Sequence, residues 1–284
     1  MDAAEGGVLL GPAEIRDLAD QLHLAPTKKL GQNFVVDGNT VRKIVRIADV
    51  SAGDQVLEVG PGLGSLTLGL TETGARVVAV EIDARLAEQL PKTVAMLQPD
   101  AELTVVTGDG MTIAGLPGQP TVLVANLPYN VSVPILIHLL TTLPSLERGL
   151  VMVQAEVGHR LAARPGSKVY GVPSVKVAWF GDWQVVGQIS RQVFWPVPNV
   201  DSVLVGYSRR SAPLGSEDER AKTFEIVDAA FGQRRKMLRQ SLQPLLGSDA
   251  QGLIIDAGCD PTLRAEQLSV DDFLAIARVV LARS

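Results

Sequence analysis

The sequence predicts an α/β fold: a mostly parallel sheet with an antiparallel edge, followed by a small C-terminal helical domain. Three observations carry this. Between residues 56 and 154, short apolar runs alternate with helical patterns, as parallel strands joined by crossover helices do. Residues 183–190 and 202–208 instead alternate in the manner of paired antiparallel strands, with no helical pattern between them. Beyond the polar stretch 209–219, which contains Pro213 and Gly215, only helical periodicity remains. The division is therefore placed near residue 210. Residues 1–210 form the α/β domain with a helical N-terminal extension, and 211–284 form the helical domain.

Each element follows from local pattern. Residues 12–24 carry apolar side chains at helical spacing, with Pro12 suited to a first turn. A glycine-containing loop leads to a second helical pattern at 40–49. Val56-Leu57-Glu58-Val59 reads as a strand, Gly60-Pro61-Gly62-Leu63-Gly64 as its turn and 65–73 as a helix. A second strand is expected at 76–80. Residues 84–97 are helical, although Pro91 should bend or divide that helix. Further strands fall at 103–106, 122–125 and 149–154, with a helix at 131–143 between the last two. In the C-terminal part, helices are expected at 220–231, 233–245 and 270–282.

Composition narrows the function classes. Hydrophobic residues make up 46% and charged residues 20%, which gives a globular chain with ample core material rather than a disordered one. No apolar run approaches the roughly 18 residues of a membrane span. The N-terminus is acidic where a secretion signal starts basic. A soluble, cytoplasmic protein without a membrane partner is expected. A single cysteine, Cys259, excludes an internal disulfide, and His23, His138 and His159 are too scattered for a zinc site, so no metal is expected. The net charge of -5 does not point to nucleic acid, so any such partner must be met by local basic patches.

Four constellations could carry chemistry. The Gly60–Gly64 turn joins a strand to a helix, where glycines admit close backbone approach and a helix start offers free N–H groups. Its spacing is not that of a dinucleotide fingerprint, and a packing turn would look alike. Glu81 ends the second strand at the register where an acid can accept from two ribose hydroxyls; a solvated strand-end acid is the alternative. Asp109, in Thr107-Gly108-Asp109-Gly110, could accept from an exocyclic amine, or could simply serve its turn. Asn126-Leu127-Pro128-Tyr129 is the most specific string. Asn126 and a main-chain carbonyl could accept both hydrogens of an exocyclic amine, while Tyr129 could stack on a base. All four lie where open α/β sheets bind ligands, at the carboxyl ends of strands.

Asn126-Leu127-Pro128-Tyr129 resembles the Asn/Asp-Pro-Pro/Leu-Tyr/Phe motif of S-adenosylmethionine-dependent amino-methyltransferases. In the leucine form, with Gly31-Gln32-Asn33-Phe34 upstream, it resembles the ribosomal RNA adenine dimethyltransferase family of the KsgA/RsmA type. The resemblance covers nearly the whole chain. It extends through the 56–64 segment, through Gln154-Ala155-Glu156-Val157 and Pro165-Gly166-Ser167-Lys168-Val169-Tyr170-Gly171, and through Phe194-Trp195-Pro196-Val197-Pro198-Asn199-Val200-Asp201-Ser202. It ends with Phe231-Gly232-Gln233-Arg234-Arg235-Lys236-Met237-Leu238, similar to a basic helix of the family. Val35 departs from the usual leucine.

The resemblance implies a Rossmann-like class I methyltransferase sheet and the cofactor S-adenosylmethionine. It implies that Gln32 and Asn33 close over the methionine end, with Val35, Gly60 and Gly62 beside them. Glu81 would hold the ribose, Asp109 the adenine amine, and Asn126 would sit between cofactor and substrate. Catalysis would fall to Asn126, Leu127, Pro128 and Tyr129, with Tyr129 and Phe194 sandwiching a base taken out of its stack; core packing is the alternative for Phe194. The implied substrate is small-subunit (16S) rRNA, or a pre-ribosomal small-subunit particle, methylated on two adjacent adenosines near its 3′ end. RNA contact would fall on Lys28, Lys29, Arg42, Lys43 and Arg46, and on Arg234, Arg235, Lys236 and Arg239 of a C-terminal helix. A monomer is expected, since no coiled-coil or edge-pairing signal is present. Three rivals stay open: a large-subunit rRNA methyltransferase of the Erm type, a nicotinamide-dependent dehydrogenase, and a non-catalytic RNA-binding or assembly factor.

Overall fold

A computed structural model describes residues 8–24 and 33–283. The chain begins with α1 (Pro12–Gln21), the short β1 (Phe34–Val35) and α2 (Gly38–Ile47). The alternating region becomes β2 (Gln55–Val59), α3 (Ser65–Thr71), β3 (Arg76–Glu81), α4 (Ala84–Leu97), β4 (Leu103–Thr107), β5 (Val122–Asn126), α5 (Ser132–Thr142) and β6 (Arg148–Gln154). Next come α6 (Ala155–Leu161), α7 (Val172–Ala178), β7 (Gly181–Ile189), β8 (Phe194–Trp195) and β9 (Ser202–Arg209). Helices α8 (Glu217–Gly232), α9 (Leu238–Ser241), α10 (Gln243–Leu246), α11 (Ala250–Asp256) and α12 (Val270–Arg283) complete it.

Seven strands form one sheet in the order β4-β3-β2-β5-β6-β9-β7. Strands β2 to β6 pair in parallel, and β9 runs antiparallel to β6 in a register that sets Ser202 opposite Gln154. The central strands are covered on both faces, so they read as unbroken apolar runs: Val56, Leu57, Leu123 and Val124 are all buried. The strand order reverses between β2 and β5. The chain winds outward through β3 and β4 on one side and through β6 on the other, which opens a crevice at the carboxyl ends of β2 and β5. A second, two-stranded ribbon pairs β1 with β8, setting Phe34 opposite Trp195 and Val35 opposite Phe194.

The chain divides into two compact units. One extends to Gly158 and resumes with Gln184–Ser208; the other holds His159–Trp183 and the chain from Arg209 onward. The junction at 208/209 lies beside the expected boundary at 210. The structure adds 159–183 to the second unit, a stretch the sequence reading placed in the first. The core of the second unit is built on Tyr170, Ile226, Phe273 and Ile276, all buried, and the Tyr170 hydroxyl donates to the Leu268 carbonyl at 2.9 Å. No helix of the described residues is long and apolar enough to cross a membrane.

Helix boundaries have local causes. Asp37 caps α2 by accepting from the Thr40 N–H at 2.8 Å, so that helix starts two residues before the expected pattern. Ser216 and Glu219 form a reciprocal capping box on α8. Pro91 does not divide α4, which runs unbroken to Leu97. The proline is exposed, at the edge of a stripe in which Leu86, Leu90 and Val94 are buried, and that burial outweighs one lost backbone bond.

The expected helix at 233–245 is not formed. Residues 233–236 make a turn, Met237 is extended, and the Leu238 and Arg239 N–H groups donate to the Leu263 and Pro261 carbonyls instead of continuing α8. Gly232 and three adjacent cations weaken helix continuation, and Pro244 starts α10 afresh. Helices α6, α7 and α11 and the β1/β8 ribbon were not expected from the pattern.

Candidate active site

The crevice beside β2 and β5 is a cavity of about 460 Å³. Gly60, Gly62, Glu81, Asp109, Asn126, Leu127, Pro128 and Tyr129 line it, each from the carboxyl end of β2, β3, β4 or β5. Asn33 and Val35 line it from the ribbon side. Gln32, Lys28 and Lys29 lie outside the described residues.

The glycine turn is built for close approach. Gly60 (φ +71°) and Gly62 (φ +59°) adopt left-handed backbone. A Cβ on Gly62 would stand 2.7 Å from the Phe34 ring, so the ring of β1 lies directly on the turn. Phe34 in turn stacks on Trp195 of β8, with centroids 6.3 Å apart. The Gly62 N–H donates to Glu81 at 3.0 Å, and the Asp83 N–H donates to its other oxygen at 2.9 Å. Glu81 is 4% exposed, and burial raises its pKa against the pull of these two donors. Beyond these donors the carboxylate keeps acceptor capacity for a ligand hydroxyl. Asp109 uses one oxygen to accept from the Met111 N–H at 2.8 Å, so its turn role and a ligand role coexist.

Asn126 is held by a bond the sequence does not reveal. Its Nδ2 donates to the Asn33 carbonyl at 3.0 Å. A carbonyl can only accept, so the amide flip is determined, and Oδ1 is the acceptor offered to a ligand N–H. The next peptide is anchored as well, since the Leu127 N–H donates to the Met152 carbonyl of β6 at 3.1 Å. Tyr129 is half-buried, and its hydroxyl bonds Ser202 of β9 at 2.9 Å. Burial, chiefly, raises the phenol pKa, which keeps the hydroxyl protonated.

Phe194 departs from expectation. It is 2% exposed, belongs to the hydrophobic cluster that holds Val35, Ile189 and Leu204, and does not line the cavity. Its place on β8 opposite Val35 turns it inward, which is the placement of a core residue. The basic residues also divide. Arg42 pairs with Glu72 at 3.1 Å, and Arg234 pairs with Glu266 at 2.8 Å while donating to the Lys168 carbonyl. Arg235 and Lys236 are exposed and make no ion pair among the described residues. Arg234, Arg235 and Lys236 lie in the α8–α9 turn, not on a helix; Arg239 is on α9.

The sequence reading passed over several lining residues. Ile82 is 64% exposed and Met111 36% exposed, and both line the cavity, so they offer apolar surface to a flat ring. Their signal was positional, since each lies beside an acid already singled out. Glu58 also lines the cavity. It is 1% exposed, and burial pushes its carboxyl up to about 8, opposed by the Thr67 hydroxyl that donates to it at 2.7 Å and assisted by the nearby Glu81 charge.

A carboxyl whose pKa is higher folded than unfolded takes up a proton on folding. Its penalty is therefore absent below the ordinary value of 4.5 and grows as pH rises to about 8. Glu58→Gln keeps an acceptor for Thr67 and removes the charge. The variant is expected to melt higher than the parent at about pH 8.5, with the difference shrinking toward about pH 5. A difference in melting temperature that is the same at both ends would contradict this.

A family model described as ribosomal RNA adenine dimethylase matches residues 25–281. The chain belongs to that family. It is accordingly an rRNA adenine methyltransferase. Among curated relatives, the Ribosomal RNA small subunit methyltransferase A of Leifsonia xyli is 63% identical over 95% of this chain and 98% of its own. That of Thermobifida fusca is 58% identical over 95% of each chain. Among solved structures, the 23S rRNA methyltransferase ErmE superposes with a TM-score of 0.65 at 25% identity, covering 87% of this chain and 99% of its own. A dimethyladenosine transferase from Plasmodium falciparum shares the fold, with a TM-score of 0.70 at 24% identity, covering 84% of this chain and 94% of its own. The mostly parallel sheet of this dimethylase is thus a class I methyltransferase sheet.

Proposed function

We propose that this dimethylase transfers methyl groups from S-adenosylmethionine to the exocyclic amines of two adjacent adenosines near the 3′ end of small-subunit rRNA, during small-subunit biogenesis. The observation that carries the reading is Asn126: a flip-determined acceptor at the end of β5, in the same cavity as Glu81 and Asp109. The small-subunit assignment draws on the names of relatives more than half identical over almost their whole length.

The cavity suits the cofactor. Its size falls in the usual range for small-molecule sites. The acids Glu81 and Asp109 line it and favour a ligand that carries positive charge, while burial holds Glu58 largely protonated at neutral pH. Glu81 has lone pairs to spare for a vicinal diol, Asp109 has an oxygen for an amine, and Ile82 and Met111 offer surface for a purine. When bound, S-adenosylmethionine supplies the electrophilic methyl group.

The residues of the chain then act on the acceptor. The exocyclic amine of adenine is a poor nucleophile because its lone pair is delocalised into the ring. Asn126 Oδ1 and the Leu127 carbonyl accept its two hydrogens, favour a pyramidal nitrogen and aim the lone pair into the cavity. As positive charge grows on nitrogen, these fixed acceptor dipoles stabilise it. Pro128 stiffens the peptide that holds them, and positioning supplies much of the remaining acceleration. The Tyr129 ring packs on the base, which must be unpaired or flipped to reach it. No strong base is required, since the product cation loses its proton readily.

The deciding experiment is transfer of tritiated methyl from S-adenosylmethionine to unmodified small-subunit particles and, in a parallel reaction, to unmodified large-subunit RNA, with nucleoside analysis. Dimethyladenosine is the expected product. Label appearing only in large-subunit RNA would move the enzyme to the alternative that the likeness to ErmE suggests.

RNA contact is assigned to the α8–α9 turn. Reversing Arg234 would also break its bonds to Glu266 and Lys168, so Arg235 and Lys236 are the cleaner pair. Arg235→Glu with Lys236→Glu is expected to weaken RNA binding and to flatten the dependence of log Kd on log salt by about one to two counterions. An unchanged salt slope would remove this turn from the RNA surface.

A further inference from the structure

We propose that Ser202 is a positioning residue for methyl transfer: by its hydrogen bond to the Tyr129 hydroxyl at 2.9 Å it fixes the tyrosine ring in the cavity wall. The proposal rests on the reading of Tyr129 as the ring that packs on the target base.

Ser202 is itself rigidly placed. It is fully buried, begins β9, and faces Gln154 in the antiparallel ladder with β6. The residue before it is tied from two sides. The Asp201 carbonyl accepts from the Ala155 N–H at 3.0 Å, and its carboxylate accepts from the Arg191 N–H at 2.9 Å. A buried hydroxyl needs a partner, and here the partner is the phenol. Tyr129 approaches from β5, whose continuation is bound to β6 through the Leu127 N–H and the Met152 carbonyl. The strand order β5-β6-β9 therefore brings together two residues 73 positions apart.

The tyrosine needs such an anchor. It is only half-buried and follows a proline turn, so packing alone leaves its ring torsions partly free. A ring that must meet a flipped base loses that freedom at each encounter, and an anchored ring has lost it already. The phenol stays protonated because burial and the nearby Asp201 carboxylate both disfavour its anion, so the anchor holds across the neutral pH range. Ser202 touches neither reacting atom, and its effect passes through the ring alone. An unanchored ring should therefore slow the transfer step and leave cofactor affinity intact.

The test is a double-mutant cycle on the full-length enzyme. Single-turnover rates on small-subunit particles, Kd for S-adenosylmethionine and melting temperature are measured for Tyr129→Phe, Ser202→Ala and the double variant. Tyr129→Ala tests the underlying ring reading. Each single loss of the hydrogen bond is expected to slow transfer by about 3- to 10-fold, with Kd for the cofactor within about twofold of the parent. The double variant should be no slower than the slower single. Tyr129→Phe breaks the same bond from the half-exposed end, so the result does not hinge on Ser202→Ala folding well. Rate losses that multiply in the double variant would overturn the proposal, as would a full rate in Ser202→Ala. A full rate in Tyr129→Ala would instead remove the ring reading itself.

Discussion

Asn126→Ala is expected to lower the single-turnover methyl-transfer rate by at least about 10²-fold, the scale lost when one preorganised dipole is removed from a developing charge. Cofactor and RNA affinities should change little, because the acceptor matters most when charge grows on the nitrogen. The structure sharpens this expectation. Asn126 offers Oδ1 only because Nδ2 is committed to the Asn33 carbonyl. Asn126→Asp should therefore also be slow, although it retains an acceptor, since it sets a carboxylate against that carbonyl. Rapid-quench assays with saturating cofactor measure both variants. A full rate in Asn126→Ala would reject the amine-acceptor mechanism.

Glu81→Ala is expected to weaken S-adenosylmethionine binding by about 10²-fold, since hydrogen bonds to a charged group contribute about 1.5–3 kcal/mol each. Two effects combine. The ribose hydroxyls lose their acceptor, and the Gly62 and Asp83 N–H groups lose theirs, which loosens the turn that lies on Phe34. Calorimetric titration of the cofactor measures the loss, and the transfer rate at saturating cofactor should be recovered in large part. An unchanged Kd would remove Glu81 from the cofactor site.

Most of the scaffold was legible locally. Short unbroken apolar runs located β2 to β6 and the 3.6-residue period located the helices between them, because strands covered on both faces are apolar at successive positions and helices with one buried stripe repeat with their turn. The acidic and amide residues at strand ends stood out for the same reason, as each follows an apolar run. The exceptions are informative. Pro91 looked like a break but lies on the solvent side of α4, where one missing donor costs less than a buried stripe contributes. The segment 233–245 looked helical, yet its backbone donors reach Leu263 and Pro261, partners no local pattern reveals.

The sequence by itself determined the parallel sheet, the glycine turn, the acids at the ends of β3 and β4, and the Asn-Leu-Pro-Tyr string, since all are consequences of residue type at short range. Only the tertiary structure decided which of these meet and what orients them. The reversal of strand order sets β2 beside β5, the β1/β8 ribbon delivers Asn33 and Phe34 to the crevice, and β9 brings Ser202 to Tyr129. It also decided against Phe194, which the same ribbon turns into the core. These are contacts between residues 66 to 161 positions apart in sequence, from Val56 beside Val122 to Trp195 against Phe34, and long-range packing, not local propensity, sets them.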